Sequence, residues 1–342
     1  MAAVYVVIFH TLLVPSPNPS INPFFAKFVY FGGTGVFLFF VISGFSLALT
    51  MPRHEKSGQP AMSYGISRLF RIAPLFYAFL LYSIFRDLRW NPSGGLPINT
   101  IILNTTFIFN FFPEKQASIV WAGWTIGVEM IFYLLFLPIY RASIIMQILV
   151  GIVLQAIFVI MLSTVSSEYA WFSFLGFLPL FLIGMWTCAL YKYLHKSAVP
   201  TGQMGQVFLL FGVVVLIFCA TTDLAEKNVY LRVPIGIGYA LMVLGCGLLE
   251  PNVLSRKLLL FFGRISYSLY LVHVIVLIFV RPLFPRVAAV LPNDLAFVVD
   301  ALIVLSISSA VAYALHRFIE VPGVRLGKVA FGRLASSQRS MI

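Results

Sequence analysis

Apolar runs separated by short polar gaps follow one another along almost the whole chain. A helix needs about 20 consecutive apolar residues to cross the hydrocarbon core of a bilayer. Nine runs reach this length, or nearly reach it once flanking residues are included, and they cover residues 29–50, 70–86, 121–140, 144–163, 171–191, 206–222, 230–249, 265–281 and 294–316. The pattern predicts a membrane-spanning helix in each run.

Two further apolar runs are too short to span on their own. The first covers residues 2–14 and stops at Pro15, which gives roughly two thirds of the required length. We expect it to form the first of about ten spans, and we expect residues upstream of Met1 to be missing rather than the helix to insert into a thinned interface. The second run, 101–112, carries several Asn and Thr side chains, and we predict an interfacial or re-entrant segment there.

Lysine and arginine are concentrated in every second gap between the apolar runs. With a cytoplasmic N-terminus these gaps are the inside loops, and they cover residues 51–69, 141–143, 192–205, 250–264 and the tail after His316. This bias follows the positive-inside rule, which counting 101–112 as a span would break. The sequence therefore predicts an all-α, polytopic transmembrane helical bundle of about ten spans in the plasma (inner) membrane, with both termini cytoplasmic.

The composition agrees with a lipid-embedded protein. The chain is 61% hydrophobic and only 10% charged, whereas a soluble domain is about half apolar and about a quarter charged. The net charge of +12 would suit a nucleic-acid partner, but the charges lie in short loops and not in a soluble basic domain, so we expect none. The three cysteines lie in apolar runs without CxxC spacing, which predicts neither a disulfide framework nor a metal site.

Ionisable residues inside apolar runs are costly, so they are candidates for function. His10 can act as a general base because an imidazole titrates near neutral pH; the alternative is a buried neutral histidine bonded to a backbone carbonyl. Glu129 lies in the run 121–140 and could stabilise an imidazolium, as the carboxylate does in hydrolase triads. The alternative is a structural glutamate bonded to another helix.

Two arginines are candidates for binding phosphate. Arg68 and Arg71 stand three residues apart, and we expect them on one face at the cytoplasmic start of a helix. Guanidinium groups bind phosphate through paired hydrogen bonds, so the pair could hold a phosphate-rich cytosolic cofactor. Positive-inside anchoring explains such arginines equally well.

Two stretches present small or polar residues on one side of a helix. The first stretch, Gly33 to Phe45, contains several glycines and Ser43. Such small residues allow helices to pack closely, and they are more typical of helix packing than of substrate contact. Ser266, Tyr270 and His273 are spaced by four and three residues, which places them on one stripe. The stripe could line a cavity or a packed helix interface.

The order of these motifs along the chain resembles the acyltransferase 3 family of membrane-bound O-acyltransferases. The matching blocks are VIFH ending at His10, GGTGVFLFFVISGF ending at Phe45, SRLFRIAP with the arginine pair, WTIGVEMIFY around Glu129, GRISYSLYLVH ending at His273, and IEVP with Glu320. The family usually has an Arg or Lys eleven residues before the first histidine, and here that position precedes Met1. The resemblance covers essentially the whole chain.

The resemblance implies a transmembrane acyltransferase domain over residues 1–325 and a basic cytoplasmic tail over 326–342. It implies transfer of an acyl group, usually acetyl, from cytosolic acyl-CoA to a carbohydrate hydroxyl, with acyl-CoA as a donor substrate and no resident cofactor. The acceptor would be a unit of a surface polysaccharide, O-antigen or exopolysaccharide, free or lipid-linked. It also implies that His10 is the essential histidine.

We therefore expect His10 and Glu129 to be catalytic and Arg68 and Arg71 to bind the CoA phosphates. In this hypothesis His10 either deprotonates the hydroxyl or carries the acyl group itself. We expect the substrate cavity to be lined by Ser43, Trp124, Tyr133, Ser266, Tyr270 and His273. The alternative function is a multi-span transporter or exporter of a glycan or small metabolite, because intramembrane ionisable residues are equally natural there.

Overall fold

The computed structural model describes residues 1–15, 18–91, 95–165, 167–196, 201–222, 232–249 and 257–339. This part of the chain is helical and contains no β-strand. The α-helices are α1 (Ala2–Leu13), α2 (Pro23–Phe31), α3 (Gly35–Glu55), α4 (Pro60–Trp90), α5 (Ile98–Thr105), α6 (Trp124–Arg141), α7 (Ile144–Thr164), α8 (Ser167–Phe172), α9 (Leu178–Lys196), α10 (Thr201–Thr221), α11 (Arg232–Leu248), α12 (Lys257–Val280), α13 (Phe284–Ala288), α14 (Asn293–Leu315) and α15 (Val321–Arg339).

Length and composition identify the membrane spans. Eight helical segments of the described ranges are long and apolar enough to cross a bilayer, and they cover Pro23–Glu55, Pro60–Trp90, Trp124–Arg141, Ile144–Thr164, Phe174–Lys196, Thr201–Thr221, Lys257–Ala288 and Asn293–Leu334. Two shorter apolar helices, α1 and α11, accompany them. The predicted all-α polytopic fold is confirmed, and the location of the termini stays a prediction.

The chain forms two compact units, each assembled from two separate stretches. The first unit consists of Met1–Phe45 and Ile183–Ala314, and the second consists of Ser46–Leu182 and Leu315–Ile342. Every boundary falls inside a continuous helix, namely α3, α9 or α14.

In the first unit, α10 and α11 pack closely at two pairs of glycines. A Cβ added to Gly205 would lie 3.0 Å from the Gly245 carbonyl oxygen, and one added to Gly212 would lie 2.8 Å from that of Gly238. Both pairs repeat after seven residues, so they lie two turns apart on the same faces of an antiparallel helix pair. Small residues at such positions let transmembrane helices approach backbone to backbone.

In the second unit, two buried asparagines organise the segment between α5 and α6. The Asn104 Oδ1 accepts hydrogen bonds from Ser118 Oγ (2.6 Å) and from the Ile119 backbone N–H (3.1 Å). Asn110 donates to the Phe172 carbonyl (2.8 Å) and accepts from the Phe174 N–H (2.9 Å). These side chains satisfy backbone groups that a loop leaves unpaired. The eight-residue helix α5 and the 3-10 helical turn Phe109–Phe111 that follows it are both far shorter than a span.

A π-helical turn, His316–Glu320, joins α14 to α15. His316 Nδ1 lies 2.9 Å from Glu320 Oε2 across this turn, and Glu320 is buried. The regular hydrogen-bond spacing of an α-helix is thus interrupted between His316 and Glu320, the glutamate of the IEVP block, whose carboxylate pairs with the His316 imidazole.

Candidate functional site

Helix α1 carries His10, and it packs closely against Gly32, just before α3, and Gly35, the first residue of α3. A Cβ added to Gly32 would lie 2.8 Å from the Tyr5 carbonyl oxygen, and one added to Gly35 would lie 2.9 Å from that of Ala2. Larger side chains would therefore push α1 away. The contact of Gly35 with α1 agrees with the packing role that the sequence favoured for the stretch Gly33 to Phe45, and the role of Ser43 stays a prediction.

His10 and His273 are in direct contact inside the first unit. His273 Nε2 lies 3.0 Å from His10 Nδ1, and the two ring centroids are 4.9 Å apart. His273 is fully buried, with no exposed surface, whereas His10 is half-buried. The structure thus joins the histidines of α1 and α12, which the sequence had placed in separate roles.

Each imidazole is also bonded to a carbonyl of its own helix. His10 Nδ1 lies 3.0 Å from the Val6 oxygen, and His273 Nδ1 lies 2.7 Å from the Tyr270 oxygen. These contacts match the alternative interpretation of His10 as a histidine bonded to a backbone carbonyl. They also orient both rings, which a base requires.

Of the three residues predicted to form a stripe on α12, Tyr270 and His273 lie close together, whereas Ser266 is bonded to its own helix. The Tyr270 ring is buried 5.8 Å from the His273 ring and packs edge-on against Phe39 at 5.3 Å. Ser266 donates its hydroxyl to the Gly263 carbonyl of its own helix at 3.0 Å. Ser43 is buried on α3. Their role in a substrate cavity stays a prediction.

A second polar cluster lies in the second unit, around Tyr133 on α6. The Tyr133 hydroxyl donates to the Glu129 carboxylate, one turn earlier on the same helix. The Arg68 guanidinium lies 6.0 Å from the Tyr133 ring centre, within the range of a cation–π contact. The Tyr64 hydroxyl donates to the Tyr133 carbonyl at 3.1 Å. This cluster connects α4 to α6.

The location of the arginine pair corrects one expectation. Helix α4 begins at Pro60, so Arg68 and Arg71 lie two to three turns inside the helix and not at its start. Hydropathy marks where a helix becomes apolar, while the helix itself continues through the more polar residues before that point. Arg71 is exposed, whereas Arg68 is half-buried and its Nε has no hydrogen-bond partner among the described residues.

Trp124 begins α6 and packs within the second unit. Its ring contacts Phe172 and Phe177 edge-on or tilted, with centroid distances of 5.2 Å in both cases. The indole is half-buried. These contacts give Trp124 a packing role, and its predicted contact with substrate is untested.

The predicted residues therefore fall into two groups. His10, Tyr270 and His273 meet in the first unit, and Arg68, Glu129 and Tyr133 meet in the second. The predicted support of a His10 imidazolium by Glu129 stays a prediction, since the two residues belong to different units. Tyr64 was missed, although its position four residues before Arg68 places it on the same helix face.

No group of three or more His, Cys, Asp or Glu side chains in the described part of the chain is arranged to hold a metal ion. The histidine pair and the Glu129 carboxylate instead offer groups for proton transfer and charge stabilisation. An oriented imidazole beside apolar helices suits the activation of a hydroxyl.

Comparison with known protein families gives a match over most of the chain. A family model described as an acyltransferase domain, that of acyltransferase 3, matches residues 1–317. The match contains both histidines of the pair, the arginines and Glu129. No curated protein and no solved structure matches the chain.

Proposed function

This chain belongs to the acyltransferase 3 family, and we propose that it is a multi-pass membrane O-acyltransferase that acts on carbohydrate. The donor in this proposal is cytosolic acyl-CoA, acetyl-CoA in particular. The acceptor is a hydroxyl of a surface polysaccharide, O-antigen or exopolysaccharide unit, free or lipid-linked. The observation that carries the proposal is the His10 imidazole, which hydrogen bonds orient within apolar helices.

His10 acts as the general base in the proposed reaction. It takes the proton of the sugar hydroxyl while the hydroxyl oxygen attacks the thioester carbonyl carbon. The carbon–sulfur bond then breaks, and the proton passes from His10 to the leaving thiolate, which gives an ester and free CoA. In the covalent variant, the His10 nitrogen attacks the thioester carbonyl carbon and the carbon–sulfur bond breaks, which releases the CoA thiolate. The sugar hydroxyl then attacks the acyl-imidazolium, the acyl–nitrogen bond breaks, and the hydroxyl proton passes to the thiolate. Both routes use the same nitrogen.

The groups proposed to bind the donor are two arginines of helix α4. We assign the CoA phosphates to Arg68 and Arg71, since guanidinium groups form charge-assisted hydrogen bonds with phosphate. The Tyr133 hydroxyl donates a hydrogen bond to the Glu129 carboxylate and so orients it. In this orientation the carboxylate can stabilise a positive charge that develops during acyl transfer. This role of Glu129 follows from the sequence hypothesis.

Replacement of His10 tests the function. His10→Ala should lower CoA release and glycan acetylation by at least about 100-fold, because a general base contributes 10²–10⁴-fold to rate. Purified protein in lipid is supplied with acetyl-CoA and candidate glycans. The thiol of the released CoA is titrated, and the mass of the glycan is measured by mass spectrometry. His195→Ala, at an exposed histidine near the end of α9, is the matched control and should retain activity.

Wild-type acetylation by His10→Ala would contradict the assignment. Movement of glycan across vesicles without release of CoA, in the wild-type protein, would instead support the transporter alternative. Glycan analysis of cells that lack the protein identifies the acceptor, because the missing acetyl group marks the modified sugar.

A further inference from the structure

The hydrogen bonds around His273 determine which of its nitrogens carries the proton. The Tyr270 carbonyl, 2.7 Å from Nδ1, can only accept, so Nδ1 must donate. A neutral imidazole carries a single N–H, so the Nε2 of His273 presents a lone pair. Burial favours this neutral form, because a charged imidazolium is costly away from water.

The hydrogen bonds around His10 likewise determine which of its nitrogens carries the proton. Its Nδ1 lies 3.0 Å from the Val6 oxygen and 3.0 Å from the His273 Nε2 lone pair. Both neighbours accept, so a proton on His10 Nδ1 satisfies both as a shared hydrogen bond. The His10 Nε2 is then unprotonated.

The opposite tautomer of His10 is disfavoured by two contacts. It would place the Nδ1 lone pair against the Val6 oxygen at 3.0 Å. If His273 keeps its proton on Nδ1, the lone pairs of His273 Nε2 and His10 Nδ1 then face each other. If the His273 proton moves to Nε2 instead, His273 Nδ1 faces the Tyr270 oxygen without a hydrogen between them. Each arrangement leaves buried acceptors facing each other, which costs the desolvation energy of unpaired polar groups.

We propose that His273 is a positioning residue that holds His10 in its Nδ1–H form and so makes Nε2 the reacting nitrogen. This inference deepens the proposed function and rests on it for its catalytic consequence. Nε2 takes the hydroxyl proton, and the Nδ1–H of the resulting imidazolium donates a charge-assisted hydrogen bond to His273 Nε2. His273 keeps its own proton throughout, and the Nε2 proton of His10 leaves with the CoA thiol.

A matched pair of substitutions separates positioning from packing. Gln and Met have similar length, but only the Gln side chain can place an acceptor oxygen where the His273 Nε2 stood. His273→Met should lower kcat about 100-fold with the KM for acetyl-CoA unchanged, since the contribution of a misoriented base is lost. His273→Gln should recover kcat to within about tenfold of the wild-type value. Equal kcat values for the two folded variants would overturn the proposal.

Nitrogen NMR of histidine-labelled protein reads the tautomer directly. The His10 signals are identified by their loss in His10→Asn. The wild-type protein should show a protonated Nδ1 and an unprotonated Nε2 at His10, and His273→Met should show a mixture of both forms. A wild-type His10 that is protonated at Nε2 alone would overturn the proposal.

The NMR experiment also separates this inference from the proposed function, because it needs no turnover. The expected tautomer in a protein that transfers no acyl group would support the hydrogen-bond assignment and reject the proposed function. Acyl transfer by a protein with the opposite tautomer would support the function and reject the assignment.

Discussion

Arg68 and Arg71 are three residues apart on α4 but have different surroundings. Arg71 is exposed, whereas the guanidinium of Arg68 lies against the Tyr133 ring. An exposed arginine side chain can bind a phosphate without loss of packing within the protein. The half-buried Arg68 also contributes to the fold, through its aliphatic side-chain carbons and its contact with the Tyr133 ring.

Substitution of Arg71 should therefore affect donor binding alone. Arg71→Ala should raise the KM for acetyl-CoA at least about tenfold, because a hydrogen bond to a charged group is worth about 1.5–3 kcal/mol. Thermal unfolding in detergent should be unchanged. Arg68→Ala should raise the KM and also lower the midpoint of unfolding. The measurements are initial rates of CoA release and a thermal shift assay.

Arg53→Ala is the control for general loss of positive charge, since Arg53 is exposed near the end of α3. It should leave the KM near the wild-type value. A larger effect of Arg71→Ala on the affinity for the glycan than on that for acetyl-CoA would reject the donor role.

The sequence identified His10 and His273 as separate candidates, but it could not predict their contact. They are 263 residues apart, and no local spacing or periodicity links α1 to α12. The contact depends on how helices cross, which is set by small residues and side-chain shape. Glu129 and Tyr133, by contrast, are four residues apart on one helix, where neighbouring side chains meet by geometry.

At the scale of elements, the glycine pairs of α10 and α11 define how these helices pack. A Cβ added to Gly245 would lie 2.6 Å from the Leu209 nitrogen and 2.7 Å from the Gly205 oxygen. Backbone atoms cannot move aside as a flexible side chain can. Alanine is therefore too large at this position.

Gly245→Ala should lower the free energy of unfolding by about 1–3 kcal/mol, the usual effect of overpacking. Gly202→Ala, on α10 itself, is the control, because a Cβ there meets nothing within 4 Å. It should be neutral or stabilising, since alanine favours helix over glycine by up to about 1 kcal/mol. Equilibrium unfolding in mixed micelles measures both, and equal effects would refute the packing argument.

Hydropathy predicted the helices well because each must fill the thickness of the membrane with apolar side chains. It predicted helix ends less well. Helix α4 begins at Pro60, ten residues before the predicted span, and a proline is well suited to the first turn of a helix. The segment 101–112 was separated from the spans because of its Asn and Thr side chains, and in the structure it holds only short helical pieces. The hydroxyls of Thr105 and Thr106 bond carbonyls of α5, whereas Asn104 and Asn110 bond backbone groups outside this helix.

At the scale of the molecule, the distribution of Lys and Arg still predicts both termini in the cytoplasm. A fluorescent protein fused to the C-terminus should therefore fluoresce in a bacterial host, because it folds on the cytoplasmic side. Alkaline phosphatase fused after Glu114 should be active, because that loop is predicted to lie outside. An active phosphatase at the C-terminus together with an inactive one after Glu114 would invert the topology.

The division into two units could not be predicted from the sequence. Domain boundaries usually fall in polar, exposed linkers, but here they fall at residues 45–46, 182–183 and 314–315 inside continuous helices. Hydropathy does not change at those positions. The units are defined by which helices pack together, and that information lies in three-dimensional contacts.

His10 precedes His273 by 263 residues in the sequence, so the ribosome synthesises the two histidines at different times. Ribosomes add about 5–20 residues per second, so the first histidine waits roughly 13–53 s for its partner, which lies 263 residues later. During that interval α1 is present without the side chain that orients its imidazole. Any nascent or prematurely terminated chain that ends before α12 therefore lacks the histidine pair, and under the proposed function such a chain is expected to be inactive.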